Sequence, residues 1–170
     1  MGIPLYQPGE RIRRLGEACE ITQRLFTENL VTFDGRYYQL ADARLNPKPV
    51  QKPWPPFVIG GGGEQLTLRV VARYADIWNG HVENPDTDID TLRHKIEVLR
   101  GHCAEIGRDP DEIEISVQTR INYDDLDATV RALQAVVGAG ATHLILMLAN
   151  PYPADIVDRL AEEVVSRVHI

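Results

Sequence analysis

The chain has 170 residues, a formal net charge of −7 and a pI near 5.2. This length is typical of a single domain, here residues 1–170, with a sizeable hydrophobic core. The acidic residues are spread along the chain, which argues against nucleic acid as the main partner. The sequence shows neither an apolar run of transmembrane length nor a signal-peptide pattern, so we expect a cytoplasmic protein without membrane contact.

The residue types that build metal centres and nucleophilic active sites are sparse. Cys19 and Cys103 fall inside separate helical patterns, which predicts reduced, structural thiols rather than a disulfide. The five histidines include no pair at i,i+4 spacing and no acidic ligand motif, so no metal site is predicted. The two serines lie outside any nucleophile-elbow motif.

The first third of the chain predicts a helix, a hairpin and an extended connector. Residues 9–28 carry apolar side chains at helical spacing, with arginine and glutamate between them. Residues 31–40 predict a small β-hairpin with Asp34-Gly35 as a two-residue turn, because both turn positions must accept positive φ. Five prolines between residues 47 and 56 predict a connector that cannot be helical.

Four strand–helix units follow over residues 57–168. The predicted strands are Phe57–Ile59, Ala75–Asn79, Ile113–Ile121 and His143–Leu148. Their helices are predicted near Gln65–Tyr74, Ile89–Ile106, Leu126–Gly138 and Ala154–Val168. Gly107 and Gly140 stand where helix C-termini are expected. Repeated units of this kind predict an α/β fold with a parallel sheet, covering helices and right-handed crossovers.

Four such units make half of a (β/α)8 barrel. We expect the barrel-facing side of the sheet to be apolar, so that a lone copy would leave two open edges and one uncovered face. A second copy, a separate partner carrying the other half, or helices rearranged onto both faces would cover them. We predict a homodimer, in which strand 57–59 of one copy pairs with strand 143–148 of the other.

A glycine-rich run, Gly60-Gly61-Gly62-Gly63-Glu64, joins the first of these strands to its helix. Glycine lets backbone N–H groups approach a ligand and a helix N-terminus adds partial positive charge, which favours a phosphate-bearing ligand. A tight turn without a ligand accounts for the same residues. The spacing fits neither a P-loop nor a dinucleotide fingerprint, which would need glycine or alanine at position 66. We expect Glu64 to face solvent in the first helical turn.

A series of motifs runs through most of the chain, at Phe33–Tyr38, Pro47–Pro53, Pro56–Glu64, Thr67–Arg69, Ala72–Asn79 and Gly107–Pro110. Together they resemble the C-terminal half of the bacterial luciferase-like monooxygenase family, in the branch that uses the deazaflavin coenzyme F-420. The resemblance implies a TIM barrel, of which this chain supplies strands five to eight, and redox chemistry with F-420 or FMN. It also implies that strands one to four, which usually carry the catalytic acid or base, are missing from a truncated, split or separately expressed half.

The resemblance also implies a cofactor site. It places the phosphate of FMN, or the phosphate end of the deazaflavin tail, at the glycine loop, and further ligand-facing residues where the second strand ends. The residues assigned to cofactor binding are Gly61, Gly62, Gly63, Glu64, Trp78 and Asn79. A core tryptophan and an Asn-Gly turn are the alternatives for the last two.

Three further polar residues fall near the same end of the predicted sheet. A histidine in a loop, as expected for His81, is more often solvated than catalytic, so no catalytic residue is assigned. Gln118 and Arg120 lie on the third strand. Arg120 is expected to contact an anionic ligand or to pair with an acid such as Asp124.

Three functions remain open at this point. The first is a flavin- or F-420-dependent oxidoreductase or monooxygenase that is active only when a complete pocket is assembled. The second is a non-catalytic half-barrel remnant. The third is one subunit of a split enzyme, complemented by a separate N-terminal half.

Overall fold

The computed structural model describes residues 4–170, apart from the side chain of residue 86. The elements are α1 (Pro8–Thr27), β1 (Val31–Asp34), β2 (Gln39–Ala43), β3 (Val58–Gly60), α2 (Thr67–Tyr74), β4 (Ile77–Val82), α3 (Pro85–Glu105), β5 (Glu114–Arg120), α4 (Leu126–Gly138), β6 (His143–Met147) and α5 (Ile156–Arg159). Short 3-10 turns cover Pro110–Glu112 and Val165–Arg167, and a π-helical turn covers Leu160–Val164. Within residues 4–170, no helix is long and apolar enough to cross a membrane.

The main sheet has four parallel strands in the order β3-β4-β5-β6. Trp78 of β4 lies opposite Ile59 on one side and Ile115 on the other, and Val117 of β5 lies opposite Leu144. Each strand therefore neighbours the next one along the chain, as repeated strand–helix units require. The predicted α/β architecture with a parallel sheet is confirmed.

One face of this sheet carries the core. Ile59, Trp78, Val82 and Val117 are at most 5% exposed and pack with buried side chains of α2 and α3. A second cluster joins Leu144 and neighbouring apolar residues of β6 to α4 and the C-terminal helical segment. Burial of large apolar side chains on this face is the main stabilising contribution.

The opposite face of the same sheet is mixed, with the apolar Val58, Ile77, Ile145 and Met147 beside many polar side chains, so the expectation of an apolar barrel-facing side is wrong. Its side chains on β4, β5 and β6 include Asn79, His81, Ser116, Gln118, Arg120 and His143. Except for the buried Ser116, these side chains are exposed or half-buried. Because side chains alternate along a strand, β4 and β5 turn Trp78, Val82 and Val117 to the helices and most of their polar residues to this open face.

The hairpin differs from the prediction in its turn. Asp34 pairs with Gln39, so Gly35–Tyr38 form the loop, closed by a hydrogen bond from the Gly35 N–H to the Tyr38 carbonyl (2.9 Å). In the described part of the chain, positive φ occurs at Gly61, Gly107, Gly140 and Asp42, and not at Gly35. The two-residue Asp34-Gly35 turn is therefore wrong, whereas the turn glycines predicted after α3 and α4 do adopt positive φ.

Several element boundaries also differ from the prediction. β4 continues to Val82 because six of its residues pair with β5, so Asn79-Gly80 is not a turn and His81 is not in a loop. The predicted helix Ala154–Val168 is a short α-helix, Ile156–Arg159, followed by π and 3-10 turns.

Two basic side chains close helix C-termini. Lys48 donates to the carbonyls of Leu25 (2.6 Å) and Glu28 at the end of α1. Arg108 donates to the carbonyls of Ala72 (3.0 Å) and Ala75 (2.8 Å) at the end of α2. Cations satisfy the unpaired carbonyl groups that end a helix.

Both cysteines are free and buried, as predicted, and burial raises the pKa of each thiol.

Candidate functional site

The glycine loop follows β3, and hydrogen bonds connect it to the neighbouring strand β4. Gly61 adopts φ +113°, a conformation that glycine accepts without a steric penalty. The indole N–H of Trp78 donates to the Gly61 carbonyl (2.9 Å), and the Gly61 N–H donates to the Asn79 carbonyl (3.4 Å). Trp78 is 1% exposed and packs in the core, so it acts on the loop through its indole N–H.

Three consecutive backbone N–H groups of the loop are unpaired. Among the groups that the structure describes, no protein acceptor bonds the N–H of Gly62, Gly63 or Glu64, while the Leu68 N–H donates to the Gly63 carbonyl (3.0 Å). Backbone donors grouped in this way are an anion-binding arrangement when water or a ligand can reach them.

Glu64 differs from its predicted position. α2 begins at Thr67, so Glu64 lies before the helix and not in its first turn. Its carboxylate lies 3.4 Å from His94 Nε2, and its carbonyl is bonded to His102 Nε2 (2.8 Å). Two α3 histidines therefore tie the end of the loop to α3.

Lys95 of α3 is a site residue that sequence reasoning missed. Its ammonium group lies so close to Gly62 that a Cβ atom there would touch it. Among the described residues, no acceptor pairs with this ammonium group. The available signal was helical spacing: Lys95 follows the buried Leu92 by three residues, so it lies on the side of α3 nearest the sheet.

The loop opens into a cleft of about 480 Å³ at the C-terminal ends of β3 and β4. Among the residues predicted to bind cofactor, Gly61, Gly62, Trp78 and Asn79 line it; Gly63 and Glu64 do not. The same cleft is lined by His81, Gln118 and Lys95. The parallel sheet thus brings the glycine loop, a free cation and an imidazole to one edge.

A row of charged side chains continues from the cleft across the open face of the sheet. One carboxylate oxygen of Glu83 lies 3.2 Å from His81 Nε2, and the other lies 2.7 Å from Arg120 Nε in an ion pair. Arg120 therefore pairs with Glu83 and not with Asp124. Asp88 of α3 accepts the N–H groups of Glu83 (3.0 Å) and Asn84 (2.9 Å).

Hydrogen bonding changes the acidity of Asp88. The backbone N–H of Asn84 contributes most to lowering its pKa, followed by the Thr87 hydroxyl and, after these, by the Glu83 N–H and the nearby His81. Asp88 therefore stays ionised as a cap at the start of α3. Among the side chains that the structure describes, no group of His, Cys, Asp and Glu could hold a metal ion.

The geometry belongs to a known class of protein. Residues 1–166 match the luciferase-like monooxygenase family, so the chain belongs to that family and the resemblance drawn from its motifs is confirmed. The fold matches luciferase-like TIM-barrel neighbours. A solved F420-dependent secondary alcohol dehydrogenase, in complex with an F420-acetone adduct, has a TM-score of 0.84 at 18% identity, covering 98% of this chain and 64% of that one. At this identity the likeness shows the fold alone.

Two curated relatives differ in cofactor. The F420-dependent glucose-6-phosphate dehydrogenase of Microbacterium testaceum is 28% identical over 124 residues, which cover 72% of this chain and 35% of the relative. The FMNH(2)-dependent dimethylsulfone monooxygenase of Pseudomonas putida is 31% identical over 110 residues, which cover 63% of this chain and 30% of the relative. The chain thus spans about a third of the length of these relatives.

Proposed function

We propose that this protein binds the phosphate end of F-420 or FMN at the glycine loop and serves flavin- or deazaflavin-dependent oxidoreductase or monooxygenase chemistry. The observation that carries the proposal is the unpaired Lys95 ammonium group beside Gly62. The named activities of its relatives, F420-dependent dehydrogenation and FMNH(2)-dependent oxygenation, support a cofactor of this class.

The charge balance of the loop supports an anionic ligand. A phosphate would accept hydrogen bonds from the N–H groups of Gly62, Gly63 and Glu64 and pair with Lys95. Charge-assisted hydrogen bonds of this kind are roughly twice as strong as neutral ones. The one carboxylate of the loop, on Glu64, lies beside His94.

The rest of the cofactor would lie over the open face of the sheet. Asn79, His81 and Gln118 are polar groups of that face that line the cleft. When bound, the flavin or deazaflavin ring supplies hydride-transfer chemistry that amino-acid side chains lack. The protein's contribution is to bind the phosphate, orient the ring and move protons beside it.

The four strand–helix units form, in this proposal, strands five to eight of a TIM barrel. Their consecutive strand order and the packing of their helices on one face support this arrangement. The open face would then line the barrel interior near its C-terminal end, where the active sites of such barrels lie. Turnover would require an opposite wall of the pocket, which these four units do not supply.

A homodimer is our proposal for that opposite wall. Both edge strands expose apolar side chains, with Val58 of β3 59% exposed and Ile145 of β6 37% exposed. Pairing β3 of one copy with β6 of the other would close eight strands and remove both edges. Light scattering at micromolar concentration should give twice the 19.1 kDa chain mass. A monomer would overturn the dimer, and a co-purifying chain with the other strands would replace it with a split enzyme.

The cofactor proposal is tested by comparing FMN with riboflavin, which lacks the phosphate. Titration calorimetry should show FMN binding about ten- to a hundredfold more tightly, as expected for about 1.5–3 kcal/mol from charged hydrogen bonds. Lys95→Met should remove most of this difference. Parallel titrations with F-420 decide which of the two cofactors binds better.

Lys52→Met is the matched control, because Lys52 is exposed and its one hydrogen bond within the described part of the chain is to the Pro49 carbonyl. It makes the same change of charge outside the cleft and should leave the preference for FMN intact. Equal affinity for FMN and riboflavin in the wild-type protein, or equal effects of the two lysine substitutions, would refute the phosphate site.

A further inference from the structure

One histidine of α3 is hydrogen-bonded to the end of the glycine loop. The His102 side chain is 12% exposed, and its Nε2 lies 2.8 Å from the carbonyl oxygen of Glu64. Resting on the function proposed above, we propose that His102 is a positioning residue of the phosphate site and that a proton on its Nδ1 strengthens phosphate binding. It acts through Glu64, whose own N–H is one of the three unpaired donors of the loop.

The hydrogen bond to the loop decides which nitrogen of His102 carries the proton. A carbonyl oxygen can only accept, so Nε2 is the donor. In the neutral ring, Nδ1 is then an unprotonated acceptor. Among the groups that the structure describes, none forms a hydrogen bond with this buried nitrogen. A buried acceptor without a donor costs free energy, so the neutral ring is incompletely satisfied.

A carboxylate lies next to this unpaired nitrogen. Glu105 Oε2 is 3.6 Å from His102 Nδ1 and 3.5 Å from a guanidinium nitrogen of Arg69 on α2. The other charged groups around His102 are Glu64 and His94, whose side chains lie 3.4 Å apart at the loop. A proton on Nδ1 would turn the acceptor into a donor toward Glu105 and give the ring a positive charge. Both ring nitrogens would then have an acceptor.

The charge of His102 is coupled to the phosphate through one residue. Glu64 would donate its N–H to the phosphate, and its carbonyl accepts from His102, so a positive ring would lie one residue from the bound anion. Attraction between the two charges favours the bound, protonated state, and by reciprocity a bound phosphate favours the proton. Histidine is the side chain whose charge ordinarily changes between about pH 5 and 8, so the effect is expected in that range.

Two variants of His102 separate the hydrogen bond from the charge. His102→Gln keeps an N–H donor for the Glu64 carbonyl but cannot take up a proton, and His102→Leu has neither property. At about pH 8, titration calorimetry should show FMN binding about three- to tenfold more weakly to His102→Leu than to the wild-type protein, and nearly unchanged to His102→Gln. Riboflavin, which lacks the phosphate, should bind all three proteins equally.

At about pH 5.5, the wild-type protein should bind FMN more tightly than His102→Gln. We expect a difference of about fivefold, at the lower end of the usual coupling between two sites. The phosphate of FMN and the other histidines are common to both proteins, so their own protonation cancels in this ratio. His169→Gln, at an exposed position near the C-terminus, is the matched control and should follow the wild type at both pH values.

NMR of ¹⁵N-labelled histidine measures the tautomer directly. The His102 signals, assigned by their loss in His102→Gln, should show the proton on Nε2 at alkaline pH in the protein without cofactor. Near neutral pH, saturation with FMN should shift these signals toward the doubly protonated ring, whereas riboflavin should not.

Three results would overturn the role of His102: a proton on Nδ1 alone at alkaline pH, a His102→Leu variant with the wild-type preference for FMN over riboflavin, or a ratio of wild-type to His102→Gln affinity that is the same at both pH values. Failure of the proposed function gives a different result, namely a wild-type protein that binds FMN and riboflavin equally at both pH values.

Discussion

Two loops of this protein present consecutive backbone N–H groups, and they differ in what accepts from them. In the hairpin loop, the Glu17 carboxylate of α1 accepts from Arg36 (2.9 Å), Tyr37 (2.9 Å) and Tyr38 (3.0 Å). In the glycine loop, Gly62, Gly63 and Glu64 have no acceptor within residues 4–170. The first cluster of donors is completed by the chain itself, and the second is open.

The cationic side chains beside the two loops differ in the same way. Arg14 lies over the rings of Tyr37 (4.6 Å) and Tyr6 (3.8 Å) and also pairs with Glu10 (2.9 Å), so the cation near the hairpin loop is engaged. Lys95 beside the glycine loop has no partner among the described residues. N–H groups that already bind a carboxylate of the chain stabilise the fold. N–H groups beside an unpaired lysine are suited to bind an anionic ligand.

The largest effect should come from placing a carboxylate of the chain itself in the glycine loop. Gly62→Asp places a carboxylate against Lys95, so it neutralises the cation and repels a phosphate. We expect FMN affinity to fall about 100-fold or more, corresponding to about 3 kcal/mol. Thermal unfolding should be little changed, because the φ of Gly62 is not positive and the nearest described atoms to the new side chain belong to the flexible Lys95.

Gly62→Ala is the control for the added bulk. Its methyl group meets the same lysine but carries no charge, so FMN binding should fall much less than in Gly62→Asp. If both variants bind FMN like the wild-type protein, the glycine loop is not the phosphate site.

An intermediate effect should come from removing the carboxylate that accepts the N–H groups of the hairpin loop. Glu17→Ala leaves three backbone N–H groups without their acceptor and is expected to lower the free energy of unfolding by about 1–3 kcal/mol. Chemical denaturation measures the change, and hydrogen exchange should show faster exchange at Arg36, Tyr37 and Tyr38. Glu10→Ala, which removes one i,i+4 ion pair on the same helix, should cost about 0.3–0.5 kcal/mol. A Glu17 variant no less stable than the Glu10 variant would contradict the anchoring role.

The smallest effect concerns a third group of backbone donors, the N–H groups of Glu83 and Asn84, which donate hydrogen bonds to the Asp88 carboxylate. The pKa of Asp88 is lowered in the folded protein, so its contribution to stability is complete above the ordinary aspartate value of about 3.9 and is lost as the pH falls through the lowered folded value. The melting temperature of Asp88→Asn should therefore fall less between about pH 5 and about pH 2 than that of the wild-type protein.

Asp90→Asn controls for the loss of a carboxylate on the same helix, because the Asp90 side chain is 95% exposed and pairs with Arg93 at the surface. Its acid melting profile should follow the wild type. An Asp88→Asn profile that coincides with the Asp90→Asn profile would show that the cap is unimportant.

Local patterns were enough to predict most of the fold. α4 has the predicted bounds, Leu126–Gly138, because its apolar spacing and its cap signals agree. The hairpin turn was mispredicted because a local Asp-Gly preference competes with Glu17, a tertiary contact from α1. The character of the open face was mispredicted because the apolar content of a strand does not say which of its two faces the helices will cover.

The sequence by itself determined the order of the strand–helix units, the glycine loop and the family, since each of these depends on neighbouring residues. Only the tertiary structure decided that Lys95 lies beside Gly62 and that Glu83 joins His81 to Arg120. The physical reason is that these contacts join elements distant along the chain, whose relative position follows from packing α2 and α3 against one face of the sheet. A local pattern records the tendency of each element, and packing decides which of their side chains meet.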